Sequence, residues 1–409
     1  MTLRFVVLHS FIVVAAACGD NHDAGPDAAS TETDAPGAGD LPSYVVPVDE
    51  TMAAITIDPN TGTFYVDSAS SGKIFRGRAG ATTDTPLELF ADLGTSGLGH
   101  LALTPDGRRL VILSALGAAP EVVLVDTTNA MEAGRIALPA SGGLAAAQDI
   151  VVAPDGIHAY ATNPFTNVIY AIDLDARTST TFAISSEFPF ISDASLGFLN
   201  ASGLAITPDG NSLIVAHLID KHLYRISLDA NTLGQAAKID TAPYNVSGNG
   251  LWLDDDGSLL EVAGDELRVF RFALAPDGTT GELASRYADV RFEAGLTYAV
   301  RAGDRILVLN GSGVAATDLG GGGNQGGGGG GGNPDGGMEL PPELVTACDG
   351  KAMGDACSAT LAGMSITGTC APFDSQLACI PQGGGGGMTG PDGGSAMPKY
   401  PIRVLQLPL

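Results

Sequence analysis

The chain has 409 residues, and its 46 acidic side chains outnumber its 20 basic ones, which gives a formal net charge of −26. Because no basic cluster offsets this charge, the surface would repel a phosphate backbone, and nucleic-acid binding is disfavoured. The hydrophobic fraction of 44% can fill a large core, whereas the 56 glycines are unevenly spread and indicate that part of the chain is linker.

Residues 1–18 have the pattern of a secretory signal peptide. Arg4 supplies a positive charge, an apolar stretch follows, and three alanines precede Cys18. The stretch is too short for a permanent membrane span. Small residues before a cysteine resemble the lipobox of bacterial lipoproteins, which implies a diacylglycerol on Cys18 and stable membrane attachment through two acyl chains. Ordinary secretion with cleavage nearby is the alternative.

Residues 19–40 are acidic and small, without any aromatic or large aliphatic side chain. Such a segment cannot bury enough apolar surface to fold, so it is predicted to be a disordered tether. Together with the signal peptide, it predicts a protein of the bacterial cell envelope, lipid-anchored or secreted.

A short pattern then recurs along the chain: an apolar run, a Pro-Asp-Gly turn and a second apolar run. It occurs as "HLALTPDGRRLVILS", "DIVVAPDGIHAYATN" and "GLAITPDGNSLIVAH", and in modified form as "GLWLDDDGSLLEVAG". Aligned on the turns, positions 60, 106, 155, 209 and 256 lie 46, 49, 54 and 47 residues apart, and a further 47 residues reach Gly303. Pro and Gly favour such turns, and the aspartate can accept backbone amide hydrogens, so a structural role is predicted for these aspartates.

Four short strands in each period of about 47 residues are typical of a β-propeller blade. Six units predict an all-β, six-bladed propeller over residues 41–319. Residues 43–48, "SYVVPV", are expected to supply the outer strand of the last blade and close the ring. Residues 187–200 are interpreted as a long loop; an irregular unit there would raise the count to seven.

The repeated motif resembles the YVTN/NHL-type β-propellers over about two-thirds of the chain, which specifies a fold more than a function.

The sequence "GNGLWLDDDG" is similar to a segment of the gluconolactonase/regucalcin propellers, whose channel holds a metal. That resemblance implies Asn249 as a ligand. Asp149 and His100 border the same channel and complete a candidate site for a divalent cation such as Ca²⁺. Ala53 and Ala54 stand where that family has an acidic ligand. His217 is a further candidate, as a channel partner of His100.

A glycine-rich linker at 320–342 precedes a module at 343–383 that carries four cysteines. Their spacing does not suit zinc, and an exported chain favours two disulfides, with three connectivities open. The module is similar to small four-cysteine modules of myxobacterial surface proteins. The cysteines are Cys348, Cys357, Cys370 and Cys379. Residues 384–409 form a second glycine-rich tail whose last segment, "MPKYPIRVLQLPL", has no predicted role.

These features predict a non-enzymatic envelope lipoprotein. Its propeller is expected to bind a protein or saccharide partner on one face, with Cys18 as the membrane anchor. The alternative is a metal-dependent lactonase or related hydrolase with a divalent ion in the channel.

Overall fold

Each of the first five repeated units folds into a sheet of four antiparallel strands, in the order in which the strands occur along the chain. In this computed structural model, the described residues are 42–47, 50–94, 98–114, 120–139, 146–191, 200–246, 248, 250–264, 266–289, 292, 296–310, 346–352, 355–361, 364–373, 376–381 and 403–408. Blade one contains β2 (Met52–Asp58), β3 (Thr63–Ser68), β4 (Lys73–Arg78) and β6 (Glu88–Asp92). Blade two contains β7 (Leu98–Leu103), β8 (Arg109–Ser114), β9 (Glu121–Asp126) and β10 (Met131–Ala137).

The next three blades repeat this arrangement. Blade three contains β11 (Ile150–Val152), β12 (His158–Thr162), β13 (Val168–Asp173) and β14 (Thr178–Ala183). Blade four contains β15 (Ala201–Ile206), β16 (Ser212–His217), β17 (His222–Ser227) and β18 (Ala236–Ile239). Blade five contains β19 (Leu251–Leu253), β20 (Ser258–Ala263), β21 (Arg268–Leu274) and β22 (Gly281–Tyr287).

The Pro-Asp-Gly turns join the first two strands of a blade, as predicted. Asp106 Oδ1 accepts a hydrogen bond from Thr104 Oγ1 at 2.6 Å and from the Arg108 amide at 3.1 Å. Gly107 follows at a φ of 71°, a left-handed conformation that glycine adopts without strain. We call the side of the propeller that carries these first connections, at 59–62, 105–107, 154–157, 208–211, 255–257 and 303–304, the turn face.

The blades surround a common axis. Their first strands contact one another in a closed circle, from β2 to β7, β11, β15, β19 and β23 (Tyr298–Ala302), and β23 contacts β2 again. The hydrophobic core lies between neighbouring blades, because aliphatic residues on both surfaces of each sheet pack against the next sheet. The fold is therefore a six-bladed β-propeller. Only 17 residues separate Ala183 from Ala201, too few for a seventh blade.

The sixth blade is assembled from three distant parts of the chain. Its strands are, from the axis outward, β23, β24 (Arg305–Asn310), β28 (Arg403–Pro408) and β1 (Ser43–Val45), with β5 (Thr85–Pro86) added in parallel. The predicted N-terminal closing strand is confirmed. The C-terminal segment without a predicted role supplies the third strand, so the propeller extends beyond the expected boundary at residue 319 and includes β28.

The second compact unit, Gly320–Met397, is an insertion between the second and third strands of blade six. It contains a three-stranded antiparallel sheet of β25 (Ala356–Leu361), β26 (Met364–Phe373) and β27 (Gln376–Pro381). A disulfide joins Cys348 to Cys370. Of the three connectivities, this bond excludes the two in which Cys348 pairs with Cys357 or Cys379.

None of the helical segments among the described residues has the length and apolar character needed to cross a bilayer.

Candidate functional site

A channel runs along the propeller axis and encloses a cavity of about 220 Å³. All six first strands contribute to its wall. Most of the lining is aliphatic and forms two levels. The level nearer the turn face consists of Ile57, Leu103, Val152, Ile206 and Leu253, and the deeper level of Ile55, Leu101, Ile150, Leu204 and Leu251. The two levels follow from the sequence repeat. Residues two apart in a strand lie on the same side of it, and equivalent positions of the six first strands lie at the same depth.

The channel opens toward the turn face. Pro59 is exposed there, and Leu103, Val152 and Leu253 are half-buried. At the deeper level the corresponding side chains are buried.

Trp252 lies in the wall of the channel and is half-buried. Its indole N–H donates to Asp254 Oδ1 at 2.9 Å, and Arg301 lies 3.0 Å from the other oxygen of that carboxylate. Arg301 also lies 3.4 Å from Asp256. Asp254 and Asp256 are thus both paired with Arg301, and Asp254 holds the indole at the mouth of the channel.

Two of the predicted site residues meet at the deep end of the channel. His100 Nδ1 lies 3.0 Å from Asp149 Oδ1 and 2.7 Å from the Tyr298 hydroxyl. Asp149 also accepts backbone hydrogen bonds from Ile150 at 2.8 Å and from Leu204 at 2.7 Å. One buried carboxylate therefore links blades two, three and four, and Tyr298 adds blade six.

The pKa of Tyr298 is raised well above its usual value, first by burial and then by the negative charge of Asp149. The phenol is therefore neutral at physiological pH and acts as a hydrogen-bonding group. Its repeat position is occupied by Leu or Ile in the other five blades. That single polar departure from the repeat is a signal that sequence analysis could have used and missed.

Asp67 is the second carboxylate of this cluster and has no exposed surface. Its Oδ1 accepts the Ala54 amide at 2.9 Å, whereas Oδ2 is buried without a hydrogen-bond partner. Desolvation raises the pKa of Asp67 to about 7, while the amide of Ala54 and the charge of His100 act in the opposite direction. A second buried oxygen, Thr297 Oγ1, also lacks a partner. We call Asp67, His100, Asp149 and Tyr298 the axial cluster.

Glycines at the same depth allow the first strands to approach one another. A Cβ on Gly203 would lie 2.9 Å from the Gly248 carbonyl oxygen, which already accepts hydrogen bonds from the Gly203 amide and the Ser202 hydroxyl. Larger side chains are excluded there, so the cluster is concentrated on the other blades.

His217 does not pair with His100 in a channel site. Its Nε2 donates to the Pro189 carbonyl at 2.8 Å, and its Nδ1 accepts the Asp220 amide at 3.0 Å. The ring packs on Phe188 with centroids 4.6 Å apart. Burial lowers the pKa of His217. Its role is to hold the connection after blade three.

The predicted metal set stays a prediction, because Asn249 lies outside the described residues, as does the predicted lipidation site Cys18. The described members, His100 and Asp149, lie 3.0 Å apart and bond to each other, and a divalent cation needs more ligands than these two side chains. Within the part of the chain that the structure describes, only Cys348, Cys357 and Cys370 bring three His, Cys, Asp or Glu ligand atoms together. These cysteines are disulfide-bonded and unavailable as thiolates.

No protein-family profile matches the chain, and no curated protein is similar to it. Solved structures with a similar fold include the β-propeller domain of Cps50 (Swd1) from Myceliophthora thermophila, at 12% identity and a TM-score of 0.44, covering 63% of this chain and 80% of that one. Hydrazine synthase from Kuenenia stuttgartiensis has 16% identity and a TM-score of 0.43, with 64% and 94% covered. A functionally unknown protein from Desulfotomaculum acetoxidans has 15% identity and a TM-score of 0.45, with 64% and 80% covered.

The fold and its axial channel place the chain in the class of β-propeller proteins. A propeller with a lined axial channel is consistent with a binding scaffold, and propellers serve many such tasks.

Proposed function

We propose that this protein is a non-enzymatic, lipid-anchored binding protein of the bacterial cell envelope. Its propeller binds a protein or saccharide partner at the turn face, where the channel opens. One observation carries the proposal: the channel wall is aliphatic, and the acid and histidine at its deep end bond to each other and to the backbone. Concave sites that bind ligands have this composition, with few polar groups among apolar ones.

The arrangement gives less support to hydrolysis. A general base needs a reachable proton on the substrate, whereas Asp149 already bonds to donors from three blades and is only 2% exposed. No described residue forms a nucleophile–base pair that opens on the cavity. A lactonase remains the alternative to be tested.

Anchoring is tested by metabolic labelling with radioactive palmitate. The full-length protein is expected to incorporate label and to sediment with membranes, and Cys18→Ser to do neither. Equal labelling of both proteins would contradict the anchor.

Binding at the turn face is tested with a photo-crosslinking amino acid placed at Asn60, beside the channel mouth. The matched control carries it at Met131, which is 65% exposed on the outer strand of blade two. Irradiation of cells is expected to give a discrete protein or periodate-sensitive adduct at Asn60 and none at Met131. Equal adducts at both positions, or none at either, would contradict the proposal. So would lactone hydrolysis by the purified protein that is lost in Asp149→Asn.

A further inference from the structure

The shape of the channel selects a slender group. An apolar cavity of about 150 Å³ in another protein holds one benzene molecule, so a cavity of about 220 Å³ accepts an alkyl chain but no oligosaccharide. From Val152 at the mouth to Asp149 is three residues of chain, roughly 10 Å at about 3.3 Å per residue. An extended side chain of four or five heavy atoms spans most of that depth.

The charge of the channel selects a cation. Asp149 is the one charged side chain among the described residues of the wall. Behind it lies Asp67, fully buried with an oxygen that has no partner. Asp67 and Asp149 both act electrostatically on Tyr298. When Asp67 is ionised, the two carboxylates of the axial cluster outnumber its one histidine, and a buried carboxylate is stabilised by a cation that reaches it.

The turn face carries several aspartates. One lies in the first connection of each of blades two to five, and Asp58 directly precedes the first connection of blade one. These are Asp58, Asp106, Asp155, Asp209 and Asp256, of which Asp256 is paired with Arg301. With the overall net charge of −26, they favour the approach of a basic partner.

We propose that the channel receives a lysine side chain of the partner protein, an inference that rests on the proposed function and specifies its partner. The four-carbon stem lies along the two aliphatic levels, and the ammonium group reaches Asp149 and the Tyr298 hydroxyl at the deep end. The phenol oxygen retains lone-pair capacity to accept from an ammonium group. Lysine suits the site better than arginine, because its charged group is compact and its stem is an unbranched chain of methylenes.

Trp252 provides a direct readout, because it is the single tryptophan of the chain and lines the cavity. The probe is acetyl-Gly-Lys-Gly-amide, titrated against the purified propeller with its insertion. A saturable change in fluorescence is expected. The norleucine peptide has a similar stem without the charge, and it should bind at least tenfold more weakly.

Two variants test whether the lysine side chain binds in the channel. Asp149→Asn is expected to weaken binding of the lysine peptide at least tenfold. Since Asp149 bonds to three blades and this variant can fail to fold, Val152→Phe blocks the mouth without touching the axial cluster and should abolish the response. Asp229→Asn, an exposed aspartate on an outer turn, is the matched control and should bind as the unaltered protein does.

Equal binding of the lysine and norleucine peptides would overturn the proposal, as would a response unchanged in Val152→Phe. Saturation by n-pentylamine without any response to the peptide would show a site for small amines and would overturn the partner lysine. The Asn60 crosslink distinguishes failure of the lysine inference from failure of the proposed function. If the adduct persists in Val152→Phe, the binding function stands and the lysine inference fails.

Discussion

The side chain of Gln406 donates a hydrogen bond to the Pro42 carbonyl, 364 residues earlier in the chain, at 3.0 Å. The same amide donates to the Ala81 carbonyl at 3.1 Å, and its oxygen accepts from the Gly80 amide at 3.3 Å and from Arg305 at 3.0 Å. Gln406 has no exposed surface. One buried side chain therefore joins the C-terminal strand to the N-terminal strand, to blade one and to its own blade.

Gln406→Leu should destabilise the propeller by about 3 kcal/mol, because it leaves buried donors and acceptors without partners while nearly preserving volume. Urea unfolding monitored by circular dichroism measures the change. Gln235→Ala, at an exposed position, is the control and should alter stability by less than about 0.5 kcal/mol. Equal effects of the two substitutions would show that the network does not contribute to ring closure.

Replacement of residues 311–402 by a short turn should leave the propeller folded. Asn310 and Arg403 are directly paired between adjacent antiparallel strands, so a tight hairpin turn can join them. Truncation after residue 402 should instead give insoluble or unfolded protein, because it removes the third strand and exposes the edges of β24 and β1. Size-exclusion chromatography and circular dichroism distinguish the two. A soluble, native-like truncated protein would contradict the role of β28.

Asp67 should make the propeller less stable as pH rises. Its pKa is about 7 in the folded protein, against an ordinary value of 3.8, so between these values the folded state binds more protons than the unfolded state. Its stabilising contribution is therefore complete below pH 4 and is lost as the pH rises through 7. Asp67→Asn keeps an acceptor for the Ala54 amide and should gain stability relative to the unaltered protein from pH 5 to pH 8, measured by urea unfolding. A difference that stays constant with pH would refute this. Gln235→Ala, which removes no ionisable group, should show no such trend.

His217 should make the propeller less stable as the pH falls. Its pKa is lowered by burial, so the unfolded state takes up a proton first as the pH falls below 6.5, and stability is lost toward lower pH. His217→Gln should reduce this acid-side loss while weakening the loop after blade three. The measurement is the unfolding free energy at pH 7 and pH 5. An unchanged pH dependence would contradict a lowered pKa of His217 in the folded protein.

Reduction with dithiothreitol should affect the inserted unit alone. Four of the five cysteines lie between residues 348 and 379, and the fifth is Cys18, so none lies in a propeller strand. Loss of a disulfide from a small domain costs about 2–5 kcal/mol, which should suffice to make the insertion susceptible to protease. Mass spectrometry of the fragments should show cleavage within 343–383. Simultaneous cleavage of the propeller would contradict independent stability of the two units.

The repeat in the sequence predicted the propeller and the turn chemistry, because strand periodicity and Pro-Asp-Gly turns are local properties of each unit. It favoured six blades and left seven open, and the structure has six. The repeat also predicted that His100 and Asp149 border the channel, since equivalent positions of a repeat surround the same axis. The involvement of Tyr298 was decided by tertiary structure, because its hydroxyl acquires a role only when blade six meets blades two and three. The role of the C-terminal strand was likewise decided there. A segment of six residues carries no repeat, and its partners Asn310 and Tyr44 lie about 90 and 360 residues away, so only ring closure specifies the pairing.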